Sequence, residues 1–467
     1  MTSFIHEYAR FVTGLNYEDL PDYAVTAAKK CLVDGMANMI YGTCAEMGEK
    51  ALRHVRYMSE TDTDMVIAPG GRELSLSQAS FAASVMARCA DLDDGHRFAM
   101  GHPGSVLVPA VMIYGQKQHT NGRELLTALV AGYEVYTRLG ASINPTSYRE
   151  RGFDSTGITG AVACTAALGR LFHLTEQELA NALGIVAQFA GALIEYQNDG
   201  TMAKVLVGSW AIDNAMKAIR LARDGFTGAS QALEGKKGFI QAFSNDPLPK
   251  KGIEGLGESF RIQEVYFKVH ACMRGLHAAV DALLDIRQRT GIAPEDIAEI
   301  EVHTTPFVGR LSKPHPDTEI GAQSSVEFAL ATASWYGHIA SEETLQEAMN
   351  REEVYDLASR VVLMMDPDVE SYVKRHPDHW GAVKILVREK DGTEESQFTA
   401  LPRGEAENPL SWKELCSKLV RMSEGTEYEG FARDICDWIR TIEEESNPFV
   451  MLAPWKYGRA AGVKLCM

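Results

Sequence analysis

Through roughly the first 260 residues, apolar positions recur every three to four residues, the spacing of helices that bury one face. Val25, Ala28, Leu32, Met36 and Ile40 predict a helix that starts near Pro21 and stops at Gly42. Ser77 to Ala90 and Arg123 to Ala141 read the same way, the second with Leu125, Leu129, Tyr133 and Tyr136 along one side. From Thr156 to Phe172 nearly every residue is small or apolar, including Gly160, Ala161, Ala163, Ala166 and Ala167. A helix that is apolar all round is buried all round, and its small side chains let neighbours approach closely. Thr175 and Glu178 form a capping-box pattern that opens a helix predicted to run to about Ile194. Met202 to Asp224 follows, closed by Gly225.

The texture changes near residue 263. Alternation over Ile297 to Thr304 predicts a strand. Ala382 to Glu389 and Glu395 to Leu401 flank Asp391-Gly392, the signature of a β-hairpin. Helices are predicted at about 275–289 and 321–337, and after Asn408-Pro409 the pattern is helical again. The expected fold is therefore mainly α. A large, discontinuous all-helical domain (1–262 and 408–467) carries an inserted, smaller α+β lid domain (263–407). A pocket between two such units is a favoured place for a ligand.

Composition narrows the function. With 467 residues, 45% hydrophobic, 23% charged and net charge −17, the chain is long enough for a large core and shows no basic patch for nucleic acid. The eight cysteines form no CxxC pair and several sit in apolar helical patterns, which fits reduced thiols of a cytosolic protein. Met1 to Arg10 lacks the apolar stretch of a signal peptide, and no run of about 18 apolar residues occurs. The expected location is cytoplasmic, with no membrane partner.

Chemistry concentrates in a few places. Asp91-Leu92-Asp93-Asp94-Gly95-His96-Arg97, with Gly101-His102-Pro103-Gly104 close behind, places acids, His and Arg on a loop at the end of a buried helix. These residues have no defined metal-ligand spacing, so acid–base work is preferred and no metal is expected. Ahead of the apolar helix, Asp154 or Ser155 is an N-cap, or else the backbone amides there bind a substrate carboxylate. Lys204, flanked by apolar residues, either snorkels to the surface or pairs with an anion in a pocket. Lys268, His270, Cys272, Arg274 and His277 cluster at the domain junction. Arg274 suits bidentate carboxylate binding, whereas Cys272 lacks the surroundings of a nucleophile. His376-Pro377-Asp378-His379-Trp380 reads as structural or surface, and glycine-rich phosphate motifs are missing, so no nucleotide cofactor is expected.

With these motifs in place, the chain resembles the MmgE/PrpD family over essentially its whole length. The family's signatures stand here as Asp91-Leu92-Asp93-Asp94…His102-Pro103, Lys204-Val205-Leu206-Val207-Gly208-Ser209-Trp210-Ala211 and Lys268…Cys272…His277. Gly225-Phe226-Thr227-Gly228, Leu233 to Phe239 and Asn408-Pro409-Leu410-Ser411 follow in the family's order. Members include 2-methylcitrate dehydratases, cis-aconitate decarboxylases and iminodisuccinate epimerases. The resemblance implies a helical domain with an α+β lid, a homodimer, and proton transfer next to a carboxylate without a cofactor. It implies catalytic roles for Asp91, His102, Lys204 and Lys268. Substrate contacts are expected from His96, Arg97, Asp154, Ser155, Arg274, Cys272 and His277. The sequence departs from decarboxylase-like members at Gly95, Asp154, Met273 and Phe328, where a hydroxyl residue, two His and a Tyr are expected. On that ground the expected activity is a hydro-lyase of a small hydroxy di- or tricarboxylate, with decarboxylation disfavoured. An epimerase or isomerase of a small dicarboxylate and a non-catalytic carboxylate binder are the alternatives.

Overall fold

The stretch that is apolar all round becomes the helix Ser155–Leu171, and every residue in it except Arg170 is buried. The computed structural model describes residues 3–58, 64–339 and 342–453. The expected C-terminal part of the helical domain is thus described only as far as Ala453, and Cys466 lies outside the described residues. Around the central helix pack Phe4–Gly14, Gly104–Lys117, Gly122–Ile143, Glu176–Val186 and Val207–Arg223. Glycine sets the closeness of one contact: a Cβ on Gly132 would lie 2.9 Å from the Cβ of Ala167 on the central helix. The helix Asp22–Gly42 packs on Leu76–Arg88 and on the returning C-terminal helices Trp412–Met422 and Ala432–Arg440. Ser411 and Glu414 cap the first of these returning helices with a reciprocal capping box.

The lid is built on a four-stranded sheet in the order Val361–Met365, Ile297–Thr304, Val383–Glu389, Glu394–Thr399. The hairpin forms around Asp391-Gly392, with Gly392 at φ +91°. The strand Val361–Met365, parallel to Ile297–Thr304, was not expected; its exposed Val362, Met364 and Met365 blur the alternation that marks a half-buried strand. The helix His277–Thr290 packs on the sheet, and Val326–Tyr336 packs on that helix. The hairpin Met65–Ala68/Arg72–Ser75 and the helices Glu342–Met349, Glu352–Ala358 and Pro367–Arg375 were also unforeseen.

Three element boundaries differ from expectation, and each difference helps shape one cavity. The helix capped by Thr175 ends at Val186 rather than near Ile194. The backbone beyond it pairs with the segment leading into the central helix, through Ile194 N–H to Gly152 O (3.0 Å) and Asp154 N–H to Ala192 O (3.1 Å). The stretch from Met202 opens as a 3₁₀ turn, Met202–Leu206, before Val207–Arg223 begins. The predicted helix 321–337 breaks into Glu319–Ala322 and Val326–Tyr336, because Ser325 caps the second piece by accepting from Phe328 N–H at 3.0 Å. A short ladder, Gly95–His96 against Val265–Tyr266, ties the acidic loop to the chain entering the lid. Among the described residues, no helix is long and apolar enough to cross a membrane.

Candidate active site

Asp91 sits just past the helix Leu76–Arg88 with φ +51°, a left-handed conformation uncommon for a residue with a Cβ. That turn points its carboxylate into a cavity between body and lid. One oxygen, Oδ1, receives Arg88 Nη1 at 3.0 Å, Lys204 Nζ at 3.1 Å and Lys268 Nζ at 2.9 Å. Lys268 also donates to the Asp91 carbonyl at 2.9 Å. Burial alone would raise the Asp91 pKa, but the two lysines and Arg88 outweigh it and hold the carboxyl well below its usual range. Asp93 accepts from the same Arg88 at 2.8 Å and is likewise held low, burial being offset chiefly by Arg88.

His102 faces this cluster. Its Nδ1 lies 2.6 Å from the Asp94 carbonyl, which can only accept, so Nδ1 carries the proton and the lone pair is on Nε2. Burial, helped by the positive Arg88 and Lys268, pushes its pKa down to about 4, so the ring is neutral at pH 7. Lys204 is held on its other side by lid residue Gln323, whose Oε1 accepts at 2.7 Å. Burial brings Lys204 down to about 8, against the opposing pull of Asp91. The break in the lid helix is what delivers Gln323, and helical periodicity gave no sign of it.

Asp154 lines the same cavity and is the N-cap of the central helix. Its Oδ1 accepts from Thr156 N–H at 2.8 Å, its Oδ2 from Tyr196 O–H at 2.7 Å, and its carbonyl takes the amides of Gly157 and Ile158. The capping alternative therefore holds, because those amides are occupied within the protein. Tyr148, Gln197, Tyr266, Met273, Arg274, Phe307 and Trp380 complete much of the wall. Trp380 was read from the sequence as structural or surface, and the tyrosines were given no role there.

A second buried network lies behind the cavity. Lys418, from the C-terminal return, donates to Asp34 Oδ1 (2.6 Å), Leu92 O (2.6 Å) and Lys268 O (3.0 Å). All three ammonium protons are thus used. Two of the acceptors are backbone carbonyls of the segments that carry Asp91 and Lys268. Asp94 accepts from Gly104 N–H at 2.7 Å and shares a 2.6 Å hydrogen bond with Tyr133; burial and the nearby Asp34 push it up to about 8. The sequence did carry one sign of this network: Asp34 interrupts an apolar helical run, Leu32-Val33-Asp34-Gly35-Met36, where a charge is rare unless paired.

The remaining expected contacts are elsewhere. Arg97 lies at the seam with the lid, bound to Glu407 (2.5 Å) and near Glu405 (3.6 Å) and Asp378 (3.8 Å). His96 accepts Ala99 N–H on Nδ1 at 3.1 Å and so presents Nε2–H to Glu264 at 3.2 Å. Ser155 Oγ accepts from Asn144 at 2.8 Å inside the body. Cys272 is fully buried, with its thiol pKa driven up by burial, and His277 donates from Nε2 to the Cys272 carbonyl at 3.2 Å. Arg274 reaches the cavity wall, but its charge is answered by Glu405 and it stacks over Tyr266. Among the described residues, no group of three or more His, Cys, Asp and Glu could hold a metal ion.

The four departures also separate. Phe328 is a fully buried core residue that does not line the cavity. Gly95 makes room for Tyr266: a Cβ there would overlap the phenol, with even Cε2 only 2.8 Å away. Asp154 and Met273 line the cavity.

The MmgE/PrpD N-terminal domain model matches residues 6–251 and the MmgE/PrpD C-terminal domain model matches 270–434. A cis-aconitate decarboxylase-like protein, oryM, of Aspergillus oryzae is 25% identical, covering 89% of this chain and 90% of its own. A cis-aconitate decarboxylase of Aspergillus terreus is 23% identical over 94% and 92% of the two chains. One of Mus musculus is 25% identical over 90% and 86%. These relatives overturn the expectation that decarboxylation is disfavoured. Of the four changed positions, Phe328 lies in the core away from the cavity. With both domain models matched in order along the chain, the protein belongs to the MmgE/PrpD family.

Proposed function

We propose that this protein is a cofactor-independent lyase acting on a small di- or tricarboxylic acid by proton transfer at a carbon next to a carboxylate. The observation that carries the reading is His102: a half-buried, neutral imidazole locked in one tautomer beside a cluster of cations. A base of this kind can take or return a proton at carbon, while fixed positive charge stabilises the negative charge that develops on the acid. Lys204, Lys268 and Arg88 supply that charge, and Asp91 keeps the three together. Lys204, near 8, remains largely protonated at pH 7 and is suited to give a proton to a departing hydroxyl or to a carbon that has lost CO₂.

The relatives' names favour cis-aconitate as the first acid to test; hydroxy tricarboxylates such as citrate and 2-methylcitrate come next. Incubation in D₂O followed by NMR separates the reactions. Decarboxylation releases CO₂ and places deuterium on the product carbon, dehydration gives an unsaturated acid, and epimerisation exchanges deuterium without loss of either group. An acid that binds without any of these changes would leave a carboxylate-binding protein, and the lyase reading would fall.

A homodimer is part of the same proposal. Phe189, Leu193 and Trp210 are 56%, 62% and 55% exposed. Their segments are tied by Asn214 Nδ2 donating to Phe189 O at 3.2 Å. Exposed apolar side chains on linked segments suit a subunit interface. Sedimentation velocity checks it: a dimer is expected, weakened by Trp210→Glu.

A further inference from the structure

The Tyr266 hydroxyl belongs to the cavity wall and has no hydrogen-bond partner among the described residues. Tyr266 is 5% exposed and lines the cavity together with Asp91, His102 and Lys268. Of the other two cavity phenols, Tyr196 donates to Asp154 and Tyr148 accepts from Gln197 Nε2. Among the described residues nothing hydrogen-bonds the Tyr266 hydroxyl, and its neighbours act on it through burial and charge alone.

The fold takes trouble to put the phenol there. Val265–Tyr266 pairs with Gly95–His96, so the ring lies against the acidic loop. Gly95 is what admits it, since a Cβ at that position would overlap the Tyr266 hydroxyl oxygen and Cζ. On the other face the Arg274 guanidinium sits 4.8 Å from the ring centroid, and Glu405 holds that guanidinium in turn. Arg274 thus holds the ring over one face, and the missing side chain of Gly95 leaves room for its hydroxyl, which has no hydrogen-bond partner among the described residues. Burial raises the phenol pKa, so the group remains a protonated donor across the working pH range.

We propose that Tyr266 is a catalytic residue whose O–H donates a hydrogen bond to the substrate carboxylate oxygen on which charge gathers when the neighbouring carbon loses a proton or CO₂. The electron pair of the broken bond flows into that carboxylate. A departing proton goes to His102, and the phenol keeps its own proton throughout. The inference rests on the lyase reading and adds a residue of defined role to it. A hydrogen bond that strengthens as charge develops acts mainly on the chemical step.

Tyr266→Phe is the direct test, because it keeps the ring and the Arg274 contact while removing only the hydroxyl oxygen that lies against Gly95. The melting temperature is expected to stay within about 2 °C. With an acid that the wild type turns over, kcat should fall about 10²-fold while KM changes less than about threefold. Gly95→Ala, which crowds the ring, should lower kcat as well. A Tyr266→Phe variant that keeps kcat within about threefold of wild type would overturn the proposal. A second readout does not depend on turnover. In protein labelled with [4-¹³C]tyrosine, the Tyr266 signal, identified by its loss in Tyr266→Phe, should move on titration with cis-aconitate or citrate. No movement at saturating acid refutes the contact. Movement without turnover would support the contact while the lyase reading itself failed.

Discussion

Two clusters of charge are built from neighbouring stretches of one loop, and they do opposite things. At Asp91, three cations converge on a single carboxylate oxygen inside the cavity. At Arg97, one guanidinium is shared among Glu405, Glu407 and Asp378 along the lid seam, with Glu407 and Asp378 partly in water. The residue types are the same; the balance is not. The first cluster brings more positive charge than its acids answer and faces open space, so it can attract a further anion. The second is saturated with carboxylate and would repel one. A dense charged motif thus identifies a site only when its charges are not already spent on one another.

The comparison can be broken from the strong side first. His102→Gln should cut kcat/KM by about 10²–10⁴-fold with the fold intact by circular dichroism. Activity should also follow a bell in pH. His102 must be neutral, so the rate rises as pH passes about 4, and Lys204 must be protonated, so it falls as pH passes about 8. An acid limb near 6.5, the value of an ordinary imidazole, would show that His102 is not the base or is not held as described.

Asp91→Asn leaves three buried cations without their common anion. A loss of about 3–5 kcal/mol in unfolding free energy is expected from urea titration, together with loss of turnover. A nearly neutral effect would mean that the convergence on Oδ1 is not what organises the cluster.

Lys418→Met strips the carbonyls of Leu92 and Lys268 of their donor and leaves Asp34 buried and unpaired, with an expected cost of about 3 kcal/mol. Asp34→Asn combined with Lys418→Met should recover much of that stability without recovering activity, because the backbone of both catalytic segments is no longer held. Full recovery of both would reduce the network to a purely structural one.

The smallest effect is expected at the seam. Arg97→Gln breaks ion pairs that are partly solvated and screened, so a loss below about 1 kcal/mol and a change in kcat/KM of only a few-fold are expected. An effect as large as that of Asp91→Asn would erase the distinction between the two clusters.

Much of this was legible beforehand for definite reasons. Asp91, His102, Lys204 and Lys268 come from three separate stretches, yet each stood out as a charge set among apolar residues or packed into a glycine-bounded loop. The lid hairpin announced itself through Asp391-Gly392, where a left-handed residue is required and glycine supplies it. By contrast, Cys272 and His277 lie next to Lys268 in the chain but turn into the lid core. Arg97 shares the loop of Asp91 but faces the other way. Proximity in sequence does not say which side of a turn a residue occupies.

Local physics within the chain determined the helical body, the α+β lid and the charged segments worth testing, because periodicity, caps and turn residues act over a few neighbours. Tertiary structure alone decided that Lys204 and Lys268 meet on one oxygen of Asp91, that a carbonyl fixes the tautomer of His102, and that Gly95 yields its place to Tyr266. Those outcomes depend on which distant segments share a buried volume. In that volume an unmatched charge is costly, and the buried Asp91 is accordingly answered by Arg88, Lys204 and Lys268 from three parts of the chain.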